Sequence, residues 1–453
     1  MSLTGAMNAA LAGLNVQQRA IQTVSGNVSN ATNPDYTRKT AVAQATGAGV
    51  ITADVTRATN DALARDLLAY ASLSGQTDAQ SAFMTKLSTL FGVSSGQTGL
   101  ATAVEDFSDA WTVLQSTPDS AAAEADVLAK AGDLADMLNK LSSGLESIDK
   151  EVQSETASTV DDINGLLDKI DTLNKQIKTT ASASVDTNDL EDQRDAAVRS
   201  LSALIDVKTI ARSDGTLAVF TAGGQTLVDQ HATKLAYDGT DVTRAGDGVA
   251  ITGSIRSGKL AGLLSLRATG TSTDAGTATI TELKAQVLAF KNALSDPSIT
   301  GGFAATYDAA AAGTGELASG FFTMTGGTIA VNTALTDGTA TLKQGAINSA
   351  GAALVDGSRS FSAGGLSVSG QDYAGIANAI TASLAADVGT VTNKASLAAA
   401  TKTEAETRFQ SSVGINMDSE LANLQVLQNA YAASAKVMQT VNSLYDDLFA
   451  VLR

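Results

Sequence analysis

Both ends of the chain carry an apolar seven-residue repeat, and these two repeats constrain the fold more than any other feature. The repeat positions lie alternately four and three residues apart, an average of about 3.5 that forms a single stripe on a helix of a coiled coil. At the N-terminus they are Leu3, Met7, Ala10, Leu14, Gln17, Ile21, Val24, Val28 and Ala31. At the C-terminus they are Met417, Leu421, Leu424, Gln428, Tyr431, Ala435, Met438, Asn442, Tyr445, Phe449 and Leu452. The sequence therefore predicts one long amphipathic helix at each end.

Neither terminal stripe has a matching stripe close to it in the sequence, and isolated helices are only marginally stable in water. We favour the interpretation that the two helices pair with each other, so that residues 1–35 and 416–453 form one discontinuous domain. The alternative is that each helix packs separately on its own neighbour in the sequence, as a terminal core helix. Under either interpretation, both helices need another surface to lie on.

Between the two ends the hydrophobic pattern is mostly helical. Residues 58–178 follow a helical period. A further helix is predicted to begin at Asn188, because Asn188 and Glu191 have the spacing of a capping box. Helical periodicity returns near residues 258–294 and 373–412.

A strand-like alternation of period two begins after residue 206, in the segment VKTIARSDGTLAVFTAGGQTLVD. The alternation is interrupted at Asp214-Gly215 and at Gly223-Gly224, which are typical of tight turns between antiparallel strands. A small β-meander is therefore predicted here.

Residues 297–370 are dominated by Gly, Thr, Ser and Ala, with short alternating pieces that predict a small β-rich outer domain. The predicted fold class is accordingly α+β and mostly α, in a discontinuous multi-domain chain. Its terminal helices pair as a coiled coil, and residues 36–296 with 371–415 form a long-helix bundle that carries the β-meander.

The charge balance restricts the kinds of partner that the chain can bind. There are 47 Asp and Glu residues against 30 Lys and Arg, a net charge of −17. Nucleic acids and anionic membranes bind basic surfaces, so neither is predicted as a partner. No apolar run approaches the roughly 18 residues of a membrane span. No cleaved secretory signal is predicted either, because no basic residue precedes Arg19 and no strongly apolar stretch follows it.

The chain contains no Cys and a single histidine, His231, which excludes disulfides and thiolate metal ligands. The segment GSIRSGKL, residues 253–260, has the spacing of a phosphate-binding loop, but Leu260 stands where a hydroxyl would bind Mg²⁺. Two acidic clusters have the composition of a paired-carboxylate site, although acidic residues are common in this chain. These clusters are Glu191, Asp192 and Asp195, and Asp446 with Asp447. We therefore predict no catalytic, cofactor-binding or metal-binding residues and no enzymatic activity.

The segment NVSNATNPDYTRK, residues 27–39, follows the first predicted helix. It resembles the motif N-x-x-N-x-N-T-P-G-Y-[ST]-R that follows the first helix in the bacterial flagellar rod, hook and hook-associated family. Asp35 replaces the usual Gly, and Thr32-Asn33 reverse the usual order. The C-terminal segment 414–453 also resembles the closing helix of this family, and two internal segments, 188–229 and 253–267, are similar to its hook–filament junction members. The matching motif residues are Asn27, Asn30, Pro34, Tyr36, Thr37 and Arg38.

This resemblance implies an axial protein of the flagellum that is exported through the type III apparatus and is located outside the cell at the hook–filament junction. The implied partners are other copies of the chain in a ring, the hook protein, the second junction protein and an export chaperone bound at residues 416–453. In such a ring, Tyr36 and Arg38 are expected to contact a neighbouring copy. The expected assembly interface comprises Leu3, Met7, Leu14, Ile21, Val24, Val28, Leu421, Leu424, Tyr431, Met438, Tyr445, Phe449 and Leu452.

Two other structural functions remain open on the sequence alone. The chain could be another axial subunit, of the hook or the distal rod, although the long helical block 58–178 is unlike a hook protein, which the resemblance implies is mostly β between its termini. Alternatively, it could be a secreted surface adhesin that binds through residues 297–370 and is anchored by its terminal helices.

Overall fold

The computed structural model describes residues 3–45, 51–93, 99–183, 185–268, 279–312, 320–342 and 344–451, and these form a mostly helical α+β structure with small antiparallel sheets. The helices are α1 (Leu3–Ser29), α2 (Asp61–Leu90), α3 (Leu100–Ser116), α4 (Ala121–Ser182), α5 (Asn188–Leu204), α6 (Lys259–Ser265), α7 (Ile280–Ser295), α8 (Phe303–Ala312), α9 (Thr333–Thr336), α10 (Gln344–Leu354), α11 (Tyr373–Val413) and α12 (Met417–Val451). The strands are β1 (Lys39–Ala45), β2 (Ile51–Arg57), β3 (Lys208–Ala211), β4 (Leu217–Phe220), β5 (Thr226–Val228), β6 (Leu235–Tyr237), β7 (Val242–Arg244), β8 (Phe322–Thr325), β9 (Thr328–Val331), β10 (Arg359–Ala363) and β11 (Leu366–Gln371).

The described residues divide into two compact units. The first comprises Met1–Ser74, Val160–Gly258 and Ala398–Arg453, and the second comprises Gly75–Thr159 and Lys259–Leu397. Helices α2, α4 and α11 contribute residues to both units.

In the first unit, the N- and C-terminal helices α1 and α12 contact each other, as the two terminal repeats predicted. Another contact between parts of the first unit that are distant in the sequence joins α2 to α11. There, Leu67 of α2 packs with Ala405, Phe409 and Val413 of α11 in a small apolar cluster. Helix packing therefore joins both ends of the chain within the first unit.

A hairpin that the sequence analysis did not predict follows α1. Strands β1 and β2 pair in antiparallel register, which places Lys39 directly opposite Arg57. Both residues lie on the base of the hairpin, next to the start of α5. The hairpin thus places two cations side by side at the point where the chain leaves α1.

The predicted meander is present as the three-stranded antiparallel sheet β3–β4–β5. Its turns contain Gly215 and Gly224, whose φ angles of 81° and 86° are readily adopted only by glycine. Helix α4 pairs with the start of the central strand β4 through Asn174, whose amide donates to Leu217 O (2.8 Å) and accepts from Leu217 N (3.0 Å). An asparagine amide carries a donor and an acceptor, so it substitutes here for the backbone of another strand.

In the second unit, a cluster of aromatic rings surrounds Trp111, which is fully buried. The Trp111 ring makes edge-to-face contacts at 5.5 Å with Phe107 and at 5.3 Å with Phe303. Its indole N–H donates to Ile347 O of α10 at 2.7 Å. This cluster joins α3, α8 and α10 into one core.

Residues 297–370, predicted as β-rich, contain the hairpins β8–β9 and β10–β11, but they also contain helices α8, α9 and α10. Helices α8 and α10 pack on each other. The buried residues of these two helices include the small side chains of Ala311, Ala346 and Ala350. Alanine is the best helix former, but it leaves no large apolar stripe, so the helical period was not evident in the sequence.

The capping box predicted at Asn188 and Glu191 is wrong. Helix α5 begins there, but the Asn188 amide donates to Val55 O of β2 at 2.7 Å, and the carboxylate of Glu191 binds Arg57. A capping box is present instead at α7, where the side chains of Thr279 and Glu282 bind each other's backbone N–H. At α5, the hydrogen bond of Asn188 and the ion pair of Glu191 with the hairpin replace the local cap.

One helical segment, Tyr373–Asp447, contains an 18-residue window of mean hydropathy 1.2, long and apolar enough to cross a membrane by length and composition. This differs from the sequence analysis, which counted only unbroken apolar runs. Apolar core helices satisfy the same two criteria, and the window is weak evidence for a span.

Candidate assembly site

The site lies where the segment after α1 meets the start of α12, and Asn27 is at its centre. Asn27 is fully buried at the last turn of α1. Its amide nitrogen donates to Lys39 O at 2.8 Å and to Glu420 Oε2 at 2.9 Å. Its amide oxygen accepts from the Tyr36 hydroxyl at 3.1 Å and from Lys39 N at 3.0 Å. The full hydrogen-bonding capacity of the amide is used, and it connects α1, β1 and α12.

Glu420, in the first turn of α12, is the second element of the site, and it is 1% exposed. Besides the bond from Asn27, its carboxylate accepts from Arg38 Nε at 2.7 Å. The backbone of Arg38 is fixed as well, since Arg38 N donates to Val413 O at 2.8 Å. Buried carboxylates are stable only when such partners compensate for lost hydration. Glu420 therefore fixes the start of α12 against the motif.

The remaining motif residues form the exit turn itself. Asn30 Nδ2 donates to Gly26 O at 2.9 Å at the end of α1, and Pro34 O accepts from Gln410 Nε2 of α11 at 2.8 Å. Asp35, which stands where the family has Gly, pairs with Arg199 of α5 at 2.8 Å. The departure from the family motif thus supplies an ion pair between the turn and α5.

The acidic residues at the start of α5 bind the two cations of the hairpin. Arg57, whose side chain is 13% exposed, pairs with Glu191 at 2.7 Å and with Asp195 at 2.6 Å. Lys39 pairs with Asp189. Asp192 accepts from the Thr37 hydroxyl at 2.6 Å. The carboxylates considered as a catalytic pair are therefore occupied by ion pairs and hydrogen bonds.

Burial by itself would lower the pKa of Arg57, but Asp195, Glu191 and Asp192 together raise it above its ordinary value. The guanidinium consequently keeps its positive charge in the folded chain. Negative charge in the first turns of α5 is also favoured by the helix dipole. The hairpin is thereby held on α5 by charge as well as by the hydrogen bond from Asn188.

Tyr36 lies between the hairpin and the buried side-chain amide of Asn27. Lys39 Nζ is 4.4 Å from the centre of the Tyr36 ring, within the range of a cation–π interaction. Burial first, and then the charges of Asp189, Asp192 and Glu420, raise the pKa of the Tyr36 hydroxyl to about 12. Tyr36 and Arg38 bind Asn27 and Glu420 of their own chain, and their expected contact with a neighbouring copy stays a prediction.

The raised pKa of Tyr36 predicts a loss of stability at alkaline pH. Below pH of about 10, the hydroxyl is protonated in both the folded and the unfolded chain. Between pH 10 and 12, the folded chain retains a proton that the unfolded chain loses, so the stability falls as the pH rises. Tyr36→Phe lacks this titration. We expect the stability difference between the native chain and Tyr36→Phe to shrink over this window.

Urea unfolding at about pH 9 and about pH 11.5 measures that difference, on either side of most of the titration. Tyr70→Phe, which removes a tyrosine hydroxyl at an exposed position of α2, is the matched control. A constant difference between the native chain and Tyr36→Phe at the two pH values would contradict the assignment.

The predicted interface residues lie at different depths. On α1, the side chain of Val24 is buried, and those of Met7, Leu14, Ile21 and Val28 are half-buried. On α12, Leu424, Met438 and Tyr445 are half-buried, and the Tyr445 hydroxyl is 3.0 Å from Thr4 Oγ1 of α1. Leu421 and Tyr431 are exposed. The side chains of Leu3 and Phe449 and the whole of Leu452 lie outside the described residues.

The predicted stripe of α12 therefore does not coincide with the least exposed side of the helix at every position. Glu420 and Val441 are buried, and neither belongs to the predicted repeat. Apolar residues occur on several sides of α12, so the period alone does not define which side faces α1. The buried bonds of Glu420 determine the rotation of the helix instead.

A second set of large apolar side chains on the terminal helices is exposed in the single chain. Val426 is 65% exposed and Val437 is 53% exposed. A helix with large apolar residues on several sides is typically covered by other elements on those sides. The set comprises Leu11 on α1 and Met417, Leu421, Val426, Tyr431, Val437 and Leu444 on α12.

The segment that resembles a phosphate-binding loop has another role. Gly258 has a φ of 94°, and its N–H donates to Ser72 O at 2.9 Å. A Cβ at Gly258 would lie 2.7 Å from the backbone of Ile205, so the glycine permits a close approach of two chain segments. Lys259, at the start of α6, pairs with Glu155. Within the described residues, no group of three or more His, Cys, Asp or Glu side chains could hold a metal ion.

Two family models match the chain. The model described as "Flagellar hook-associated protein FlgK helical domain" matches residues 84–301, and the model described as "Flagellar basal body rod FlgEFG protein C-terminal" matches residues 407–450. Similar curated proteins are the flagellar hook-associated protein 1 of Escherichia coli (strain K12) and that of Salmonella typhimurium (strain LT2). Each is 26% identical over 238 residues, which cover 50% of this chain and 43% of the relative.

The chain thus spans less than half the length of the curated relatives that it matches. A solved structure, of the flagellar hook junction protein FlgK from Burkholderia pseudomallei, aligns with 58% of this chain and 47% of its own, with 24% identity and a TM-score of 0.46. The matching family models define the class of protein: a structural, non-enzymatic component of the bacterial flagellum. Within this class, the chain belongs to the FlgK-type flagellar hook-associated protein 1 family.

Proposed function

We propose that this protein is the subunit that forms the junction between the hook and the filament of the bacterial flagellum. After export through the type III apparatus, copies assemble into a ring outside the cell. One side of the ring contacts the hook protein, and the other side contacts the second junction protein. Before export, the C-terminal segment 416–453 binds a chaperone.

The observation that carries this proposal is the two-sided character of α12. One side of the helix packs on α1 and is fixed by the buried bonds of Glu420, while Val426 and Val437 on other sides are exposed. A helix that is apolar on several sides is stable only when it is covered on those sides as well. Neighbouring copies in a ring provide that cover.

The same proposal gives each part of the chain a place. Residues 1–35 and 416–453 form a coiled coil that lines the inner tube, and residues 36–296 with 371–415 form the next shell. Residues 297–370 form the outer part. The hydrogen bonds centred on Asn27 connect α1, the hairpin β1–β2 and α12 at one point. In this proposal they set the angle between the inner-tube helices and the next shell.

Electron microscopy of cells that lack this chain tests the proposal. We expect complete hooks without attached filaments, with filament subunits shed into the medium. The full chain should restore filaments, whereas a chain that ends at residue 415 should not. Absence of hooks would instead indicate a hook or distal rod subunit. Normal filaments combined with impaired surface attachment would indicate an adhesin, and either result would overturn the proposal.

A further inference from the structure

Residues 253–258, most of the segment that resembles a phosphate-binding loop, close over other parts of the first unit, and we call them the strap. On one side the strap binds α2. The Gly258 N–H donates to Ser72 O at 2.9 Å, and the hydroxyl groups of Ser72 and Ser257 are 2.6 Å apart. The strap is therefore fixed to α2 by both backbone and side-chain bonds.

On its other side the strap approaches the end of α5 and the turn between β4 and β5. A Cβ at Gly258 would lie 2.7 Å from the backbone of Ile205, and a Cβ at Gly223 would lie 2.7 Å from the backbone oxygen of Ser254. Real Cβ atoms do not approach backbone atoms so closely, because their van der Waals radii would overlap. Glycine at these two positions thus permits the strap to lie directly on the neighbouring backbone.

Asp206, the second residue after α5, lies at this contact and is 4% exposed. Its backbone N–H donates to Ser257 O at 3.1 Å, and its Oδ2 accepts from Arg256 N at 3.3 Å. Its Oδ1 is buried and has no hydrogen-bond partner among the described residues. A buried carboxylate needs partners that compensate for its lost hydration, and Asp206 has only part of that compensation.

The surroundings of Asp206 favour its neutral form. Burial raises the pKa of the carboxyl group above its ordinary value, and backbone hydrogen bonds and then the positive charge of Arg256 oppose this only in part. Arg256 is exposed, so water screens its charge. From β3, Lys208 donates to a backbone oxygen of the β4–β5 turn at 3.5 Å. Helix α2 and the end of α5 contribute the uncharged Ser72 and Ile205.

We propose that the carboxyl group of Asp206 is a pH-sensitive latch on the strap. In its neutral form it leaves the strap closed on α2, α5 and the meander, and its ionisation at higher pH loosens the strap. The latch acts within a single copy of the chain. Its test therefore uses the purified protein, and the outcome does not depend on whether the junction function holds.

The direction of the pH effect follows from the two states of the strap. When the strap is open, water reaches Asp206 and its carboxyl group titrates near its ordinary pKa. When the strap is closed, the same group keeps its proton to a higher pH. Between the two pKa values the closed form binds a proton that the open form has lost, so the closed form loses stability as the pH rises.

Hydrogen exchange of the purified full chain measures the opening of the strap. The N–H groups of Asp206 and Gly258 are bonded across the closed strap, so they exchange only after it opens. From about pH 4 to about pH 7, we expect their protection in the native chain to fall at least about threefold relative to Asp206→Asn, which stays uncharged. Both chains are corrected for the intrinsic effect of pH on exchange.

Asp162→Asn is the matched control, because it removes the same charge at an exposed position of α4 in the same unit. Its strap should respond to pH as the native strap does. Equal responses in the native chain and Asp206→Asn would overturn the inference. A comparison within the native chain needs no variant: the strap should lose protection relative to the N–H of Leu217, which is bonded to Asn174. Parallel responses of these groups would also overturn the inference.

Discussion

Replacing Glu420 with alanine is expected to lower the free energy of unfolding of the first unit by about 1–3 kcal/mol, because it leaves a buried polar group without its partner. Asn27 Nδ2 and Arg38 Nε both donate to this carboxylate, at 2.9 and 2.7 Å. Alanine offers neither group an acceptor, and Asn27 is fully buried. The start of α12 should consequently detach from α1.

Amide hydrogen exchange in α1 and α12 measures this loss at the site where it occurs. Asp418→Ala is the matched control, because Asp418 lies in the same first turn of α12 and is exposed. Glu420→Gln should have an intermediate effect, since an amide oxygen still accepts one of the two bonds. Equal protection in Glu420→Ala and Asp418→Ala would show that the buried bonds do not hold α12.

Replacing Trp111 with alanine should have the largest effect on the second unit, about 3–5 kcal/mol of unfolding free energy. The indole is fully buried and contacts the rings of Phe107, Phe303 and Phe321. Its N–H is also the donor to Ile347 O of α10. The substitution therefore removes the side chain at the junction of three helices and leaves a cavity that the surrounding rings fill only in part.

Urea unfolding followed by circular dichroism measures this effect, since the variant has no tryptophan for fluorescence. Val113→Ala, two residues further along α3 and 55% exposed, should change the stability by less than about 0.5 kcal/mol. Trp111→Phe should lie between them, because it retains a ring but loses the hydrogen bond. A loss below about 1 kcal/mol in Trp111→Ala would contradict the role of the aromatic cluster.

The elements with a long, regular period were predictable from the sequence. The terminal repeats predicted α1 and α12 and their mutual contact, and the Gly-containing turns predicted the meander β3–β4–β5. The motif at residues 27–39 indicated where the candidate site lies, and its role in assembly stays a prediction. In each case the signal is local, because the period or turn type depends on residues close together in the chain.

The connections within the site were not predictable in the same way. Asn27 and Glu420 are 393 residues apart, and no local pattern relates them. Their pairing depends on the hairpin β1–β2, which places Lys39 beside Asn27. Likewise, the capping box expected at Asn188 was displaced by a bond to Val55, since a tertiary contact satisfied the asparagine better than its own helix.

The sequence by itself determined that the two ends of this protein are amphipathic helices that meet and that a family motif follows the first of them. Only the tertiary structure decided which side of α12 faces α1 and which side remains exposed. The physical reason is that α12 is apolar on several sides, so burial of apolar area does not select one rotation. The buried carboxylate of Glu420 does, because its loss of hydration is compensated only where Asn27 and Arg38 donate to it.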